Sequence, residues 1–136
     1  KLIAEGAGAT PVAAALFDKL PIKGKKTVCV VSGGNIDVNI LSRVITRGQV
    51  TSGRRADLVI ALQDRPGQLR EVSEIVSSCG ANVVGVQHNR SDADMDITGC
   101  FLRLELETRD AAQINEIRAK LTKAGFTLID KNAAHY

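Results

Sequence analysis

Two short stretches combine residue types that could do chemistry. Asp64-Arg65-Pro66-Gly67-Gln68-Leu69 sits between an apolar alternating run and a helical one. Pro66 suits a first helical turn, Gly67 lets a ligand or backbone approach closely, and unpaired amides at a helix start can hold a carboxylate. The same residues also read as an ordinary strand-to-helix turn. Ser32-Gly33-Gly34-Asn35 follows the apolar run Lys26 to Val31 and precedes a helix, which is where small-molecule sites form at the carboxyl edge of α/β sheets. Its structural alternative is a glycine turn in which Asn35 or Asp37 caps the next helix.

Other constellations carry less. Gly6-Ala7-Gly8 opens like a dinucleotide loop, but Pro11 stands where the third glycine belongs. Asp92, Asp94 and Asp96 alternate as in a calcium loop, yet Arg103 replaces the closing Glu, so a solvated hairpin tip is expected. Cys29, Cys79 and Cys100 form no CxxC pair, and His88 and His135 are too few for a metal site of their own. No metal is expected, and the cysteines are read as buried thiols of a reducing compartment.

The elements that position these loops follow from periodicity. Leu58, Ile60 and Leu62 alternate, and Leu69, Val72, Ile75, Val76 and Cys79 then recur at helical spacing, so Asp57 to Val86 reads as strand, loop, helix, turn, strand. Gly80 should end that helix in a left-handed conformation. A strand over Ile97 to Glu107 places Leu102, Leu104 and Leu106 on one face and Arg103, Glu105 and Glu107 on the other. A helix over Asp110 to Ala124 buries Ile114, Ile117 and Leu121, and a last strand spans Phe126 to Ile129. The order is βαββαβ, an α+β ferredoxin-like arrangement.

Upstream, Lys1 to Glu5 and Lys26 to Val31 read as strands, Thr10 to Lys19 and Asp37 to Arg47 as helices, an α/β fragment. Four such elements bury little by themselves, and more of that domain is expected upstream of this sequence. Residues 49–55 read as a linker, 56–131 as the second domain and 132–136 as a loose tail.

Composition sets limits. The 136 residues are 44% apolar, as in ordinary globular chains. No apolar run approaches the ~18 residues that span a bilayer. The start lacks a signal-peptide pattern, so a cytoplasmic protein away from membranes is expected. Residues 1–56 carry nine Lys/Arg against three Asp/Glu, and 57–136 nine against twelve. The basic residues of the first half are scattered and its single aromatic is Phe17, so nucleic-acid binding is not expected.

KLIAEGAGATPVAAAL followed by GKKTVCVVSGGNID resembles the end of the catalytic domain of the fold-type II pyridoxal-phosphate enzymes, specifically the threonine dehydratases and serine racemases. That resemblance implies that Ser32, with Gly33, meets the pyridine nitrogen of pyridoxal phosphate in a full-length parent. The family's Schiff-base lysine motif and phosphate loop have no counterpart here. The chain is therefore expected to bind no cofactor and to be inactive alone.

Residues 56–130 resemble an ACT domain, with the Arg65-Pro66-Gly67-x-Leu69 loop and the Gly80-Ala81-Asn82-Val83-Val84 strand in place. The resemblance implies a regulatory module that pairs side by side and binds an amino-acid effector. Residues 64–69, Asn82 and Val83 would line that site. Asn82 matches the serine-sensing members, whereas Leu62 stands for their His and Asp64 for their Asn; Asp64 could reach an ammonium group. The whole then resembles the C-terminal part of a threonine dehydratase that deaminates L-threonine or L-serine to a 2-oxoacid and ammonia. The alternative is an ACT unit that only holds subunits together.

Overall fold

A computed structural model of the chain describes residues 2–89 and 99–129. It divides into two compact units, residues 1–46 and 47–136.

The first unit holds helix α1 (Gly6–Leu16) and most of α2 (Val38–Thr51). Neither expected strand forms among the described residues. A strand is a paired object, and the Glu5 N–H to Gly33 O bond at 3.1 Å joins the end of the first run to the turn after the second, which is not a ladder. The Lys26 to Val31 run, expected to be covered on both faces, instead leaves Val28 and Val30 in solvent.

Helix α1 begins at Gly6, four residues before the expected Thr10. Of the two glycines that suggested a loop, Gly8 has a packing reason, since a Cβ there would lie 1.7 Å from Ser32 O, whereas one on Gly6 would meet nothing within 4 Å. Gly8 is accordingly buried, and the two sequence motifs meet at its Cα. Asp37 caps α2, its Oδ1 accepting from Asn39 N–H at 2.8 Å and Ile40 N–H at 3.2 Å.

The expected linker is helical where it begins. α2 runs to Thr51 and closes with Gly53 N–H to Val50 O and Arg54 N–H to Gln49 O, the paired bonds of a Schellman turn. Gly53 takes φ +69°, and Thr108 fastens the turn by donating its hydroxyl to Gly53 O at 2.7 Å.

The second unit continues with β1 (Arg55–Gln63), α3 (Gln68–Ser78), β2 (Asn82–Asn89), β3 (Gly99–Glu107), α4 (Ala111–Lys123) and β4 (Thr127–Ile129). The strands form one antiparallel sheet in the order β2-β3-β1-β4, the ferredoxin-like arrangement. Register decides the faces. Leu58, Ile60 and Leu62 stand opposite Leu104, Leu102 and Cys100, and these join Val72 and Val76 of α3 and Ile117 and Leu121 of α4 in one core. The other sheet face carries ion pairs, Arg103 clamping Asp57 at 2.6 and 3.0 Å and Arg55 meeting Glu105 at 2.6 Å.

Gly80 ends α3 at φ +74°, as its position suggested. Two core positions differ from expectation: Leu69, on the apolar stripe read for α3, is exposed, and in α4 Gln113 is fully buried while Ile114 is only half-buried. Cys29 is also half-buried, unlike Cys79 and Cys100, and none of the three is in a disulfide. No described helix is long and apolar enough to cross a membrane. The residues expected to form a hairpin tip, including Asp92, Asp94 and Asp96, lie outside the described residues, as does His135.

Candidate functional site

The residues singled out in the second unit separate into three places. β1 delivers the loop at Asp64, and α3 starts at Gln68 behind Gly67, whose φ of +97° turns the chain into the helix without any side-chain cap. The first amides of α3 thus have no capping side chain from Gly67.

Arg65 and Gln68 face one side of this loop. With its amide oxygen turned toward Arg65, Gln68 accepts from Nε at 3.2 Å and Nη2 at 3.1 Å, which satisfies a side chain that is almost fully buried. Both line an open pocket of about 420 Å³ whose other walls come from Gln63, Glu71, Gly99 and the turn Ala124 to Thr127. A guanidinium and a carboxylate, Arg65 and Glu71, share its rim. Such a pair matches the two charges of a small zwitterion. Glu71 and the 124–127 turn were not singled out from sequence; Glu71 reads as a solvated helix residue, and nothing local links it to the distant turn.

Asp64 belongs to a different group of side chains. Its carboxylate lies with His88 of β2 and Cys100 of β3, the ligand-type atoms of all three within 4.8 Å of one another. The spacing of His88 and the cysteines along the chain gave no sign of this grouping. These residues are 12 to 36 apart in sequence, and only the sheet register assembles them.

Asn82 and Val83 are elsewhere. Asn82 opens β2 opposite Glu107, whose Oε2 accepts from its Nδ2 at 3.3 Å, and Glu107 is in turn opposite Arg55 at the start of β1. Asp64 follows the other end of β1. Eight strand steps of ~3.3 Å put the two ends roughly 26 Å apart, so one copy of this unit does not bring Asn82 to the 64–69 loop.

In the first unit, Ser32 is exposed, its peptide held against Gly8, and Gly33 takes φ +80° with Glu5 packed where a Cβ would be.

No family model matches the chain. Among curated proteins, the L-threonine ammonia-lyase of Thermotoga maritima is 48% identical over 126 residues, which are 93% of this chain and 31% of that protein. The L-threonine ammonia-lyase of Geobacter sulfurreducens is 40% identical over 130 residues, 96% of this chain and 32% of that protein. The L-threonine dehydratase biosynthetic IlvA of Lactococcus lactis is 45% identical over 76 residues, 55% of this chain and 18% of its own length. Over nearly its whole length the chain is thus a homologue of a segment that makes up about a third of the L-threonine ammonia-lyases.

Proposed function

We propose that this chain is the C-terminal regulatory segment of a cytoplasmic threonine ammonia-lyase, a parent that eliminates water from L-threonine or L-serine and releases a 2-oxoacid and ammonia. The observation that carries the reading is the 48% identity running through both halves of the chain.

In such a parent pyridoxal phosphate supplies the electron sink. The loop of the first unit fits a place against that ring: the clamp of Gly8 on the Ser32 peptide holds an exposed hydroxyl on fixed backbone, suited to a neutral partner for a pyridine nitrogen. The exposed apolar side chains of this unit, Val28 and Leu2 foremost, fit coverage by the rest of a catalytic domain. No lysine of the chain lies in a Schiff-base motif, so the chemistry belongs to the remainder of the parent.

Residues 56–131 act in this reading as an ACT domain that senses an amino acid. Amides at the start of α3 receive the carboxylate, and Asp64 or Glu71 the ammonium group. Because Asn82 and the 64–69 loop occupy opposite ends of one sheet, a site using both is completed by a second copy alongside β2. Ligand binding then shifts the pairing and passes through α2 to the first unit.

The test is a thermal-shift screen of this chain against the twenty amino acids. A ligand at a hundred times its dissociation constant adds about 2.7 kcal/mol. A shift by one or two amino acids that disappears in Asn82→Ala supports the sensor. Absence of any selective shift removes it.

A second reading, a pairing module without a ligand, is favoured by one feature: β2 is an edge strand with Val84 and Val86 half exposed. Self-association without an amino-acid effect would select it.

A further inference from the structure

We propose that Asp64, His88 and Cys100 form a binding site for a zinc-type divalent cation. The proposal shares only Asp64 with the amino-acid reading, where Glu71 can take the ammonium group instead, and it uses neither the α3 amides nor Asn82.

The geometry comes from the sheet. Cys100 stands opposite Leu62 and His88 opposite Leu102, so both side chains lie on the helix-covered face, diagonally across β2 and β3. His88 Nε2 is 3.0 Å from Cys100 Sγ. Asp64 follows the last residue of β1 and brings its carboxylate to the same point, all three ligand atoms lying within 4.8 Å of one another. In a tetrahedral zinc site, bonds of ~2.0 to 2.3 Å place the donors about 3.3 to 3.7 Å apart. Closing the site needs His88 Nε2 and Cys100 Sγ, now 3.0 Å apart, to open by a few tenths of an ångström, while Asp64, on a loop, is the member able to adjust to the ion.

The donor set selects the ion. One thiolate, one imidazole and one carboxylate suit a borderline-soft cation such as Zn²⁺ and not Ca²⁺ or Mg²⁺, which take oxygen donors. Cys100 is 1% exposed while His88 and Asp64 are exposed, so the sulfur is shielded from water and the ion reaches it from the imidazole side. Three protein donors leave a fourth position for water or another small ligand. On binding, the Cys100 S–H bond breaks, sulfur bonds to the ion, and one proton passes to solvent; no electron is transferred.

The experiment is a Zn²⁺ titration of this chain against a chromophoric chelator, with Co²⁺ as a spectroscopic substitute. One ion per chain is expected, with a sulfur-to-cobalt charge-transfer band. Cys100→Ser should lose the band, and His88→Gln, a change at an exposed residue that leaves the core intact, should weaken binding by about tenfold or more. Cys29→Ser should change nothing. Failure to compete with the chelator, or equal binding by the His88→Gln and wild-type chains, overturns the site.

Discussion

Gln113 Nε2 donates a 2.6 Å hydrogen bond to Cys79 O, tying the first turn of α4 to the last turn of α3. The same side chain accepts from Arg109 N–H at 2.7 Å, and the Gln113 backbone N–H donates to Asp110 Oδ1 at 2.9 Å. This amide is 2% exposed and stands in a core otherwise built of apolar side chains. Its partners are backbone groups at two helix ends that would lose them together. Gln113→Leu keeps the size and removes both side-chain bonds. A destabilisation of about 1 to 3 kcal/mol is expected in urea unfolding. An unchanged midpoint would show that water replaces the amide.

Gly53 and Gly67 both take positive φ, +69° and +97°, yet they differ in surroundings. A Cβ at Gly53 would lie 2.4 Å from Ala111 N, whereas one at Gly67 meets nothing within 4 Å. Gly67→Ala should therefore cost only the left-handed strain, about 1 to 2 kcal/mol, and Gly53→Ala clearly more. Thermal unfolding of the two variants side by side checks the order. Equal losses would mean that the α4 start yields freely.

Glu116 and Lys120 pair one turn apart on α4 at 2.8 Å. The hydrogen bond from Lys120, and then its charge, hold the Glu116 carboxyl below its ordinary value of 4.5. A carboxyl lowered in the folded state contributes stability above its unfolded pKa and loses it as pH falls through the folded one. The affected window therefore opens near pH 4.5 and extends downward. The pair is exposed, so the contribution is small. By NMR, Glu116 should titrate below 4.5 and return toward that value in Lys120→Ala. A midpoint that ignores Lys120 would refute the pairing in solution.

Val86 lies half exposed on the edge strand β2. If two copies pair along this edge, a charge there opposes association. Val86→Lys should shift sedimentation from dimer to monomer while leaving the far-UV spectrum unchanged. A variant that stays dimeric places the contact elsewhere.

The second unit was legible because its signals are local. Alternation in Leu58 to Leu62 and Leu102 to Leu106 marks strands wherever one face is buried, and the glycines at 80 and 125 mark helix ends, both with positive φ in the structure. Gln113 was missed because an amide at a helical position carries no sign of burial; its partner at Cys79 is 34 residues away. The runs in the first unit misled for the opposite reason. Apolar composition supports a strand only where a neighbour completes the ladder, and none lies against Lys26 to Val31 among the described residues.

By itself, then, the sequence determined the order of elements in residues 56–129, the loop at Asp64 to Leu69 and the likeness to one enzyme family, since each depends on residues close together along the chain. Only the tertiary structure decided that Asn82 lies at the far end of the sheet from that loop, that Arg65 lines a pocket with the 124–127 turn, and that Asp64, His88 and Cys100 converge. Those relations are set by strand register, and a slip of one residue would turn every such side chain to the other face.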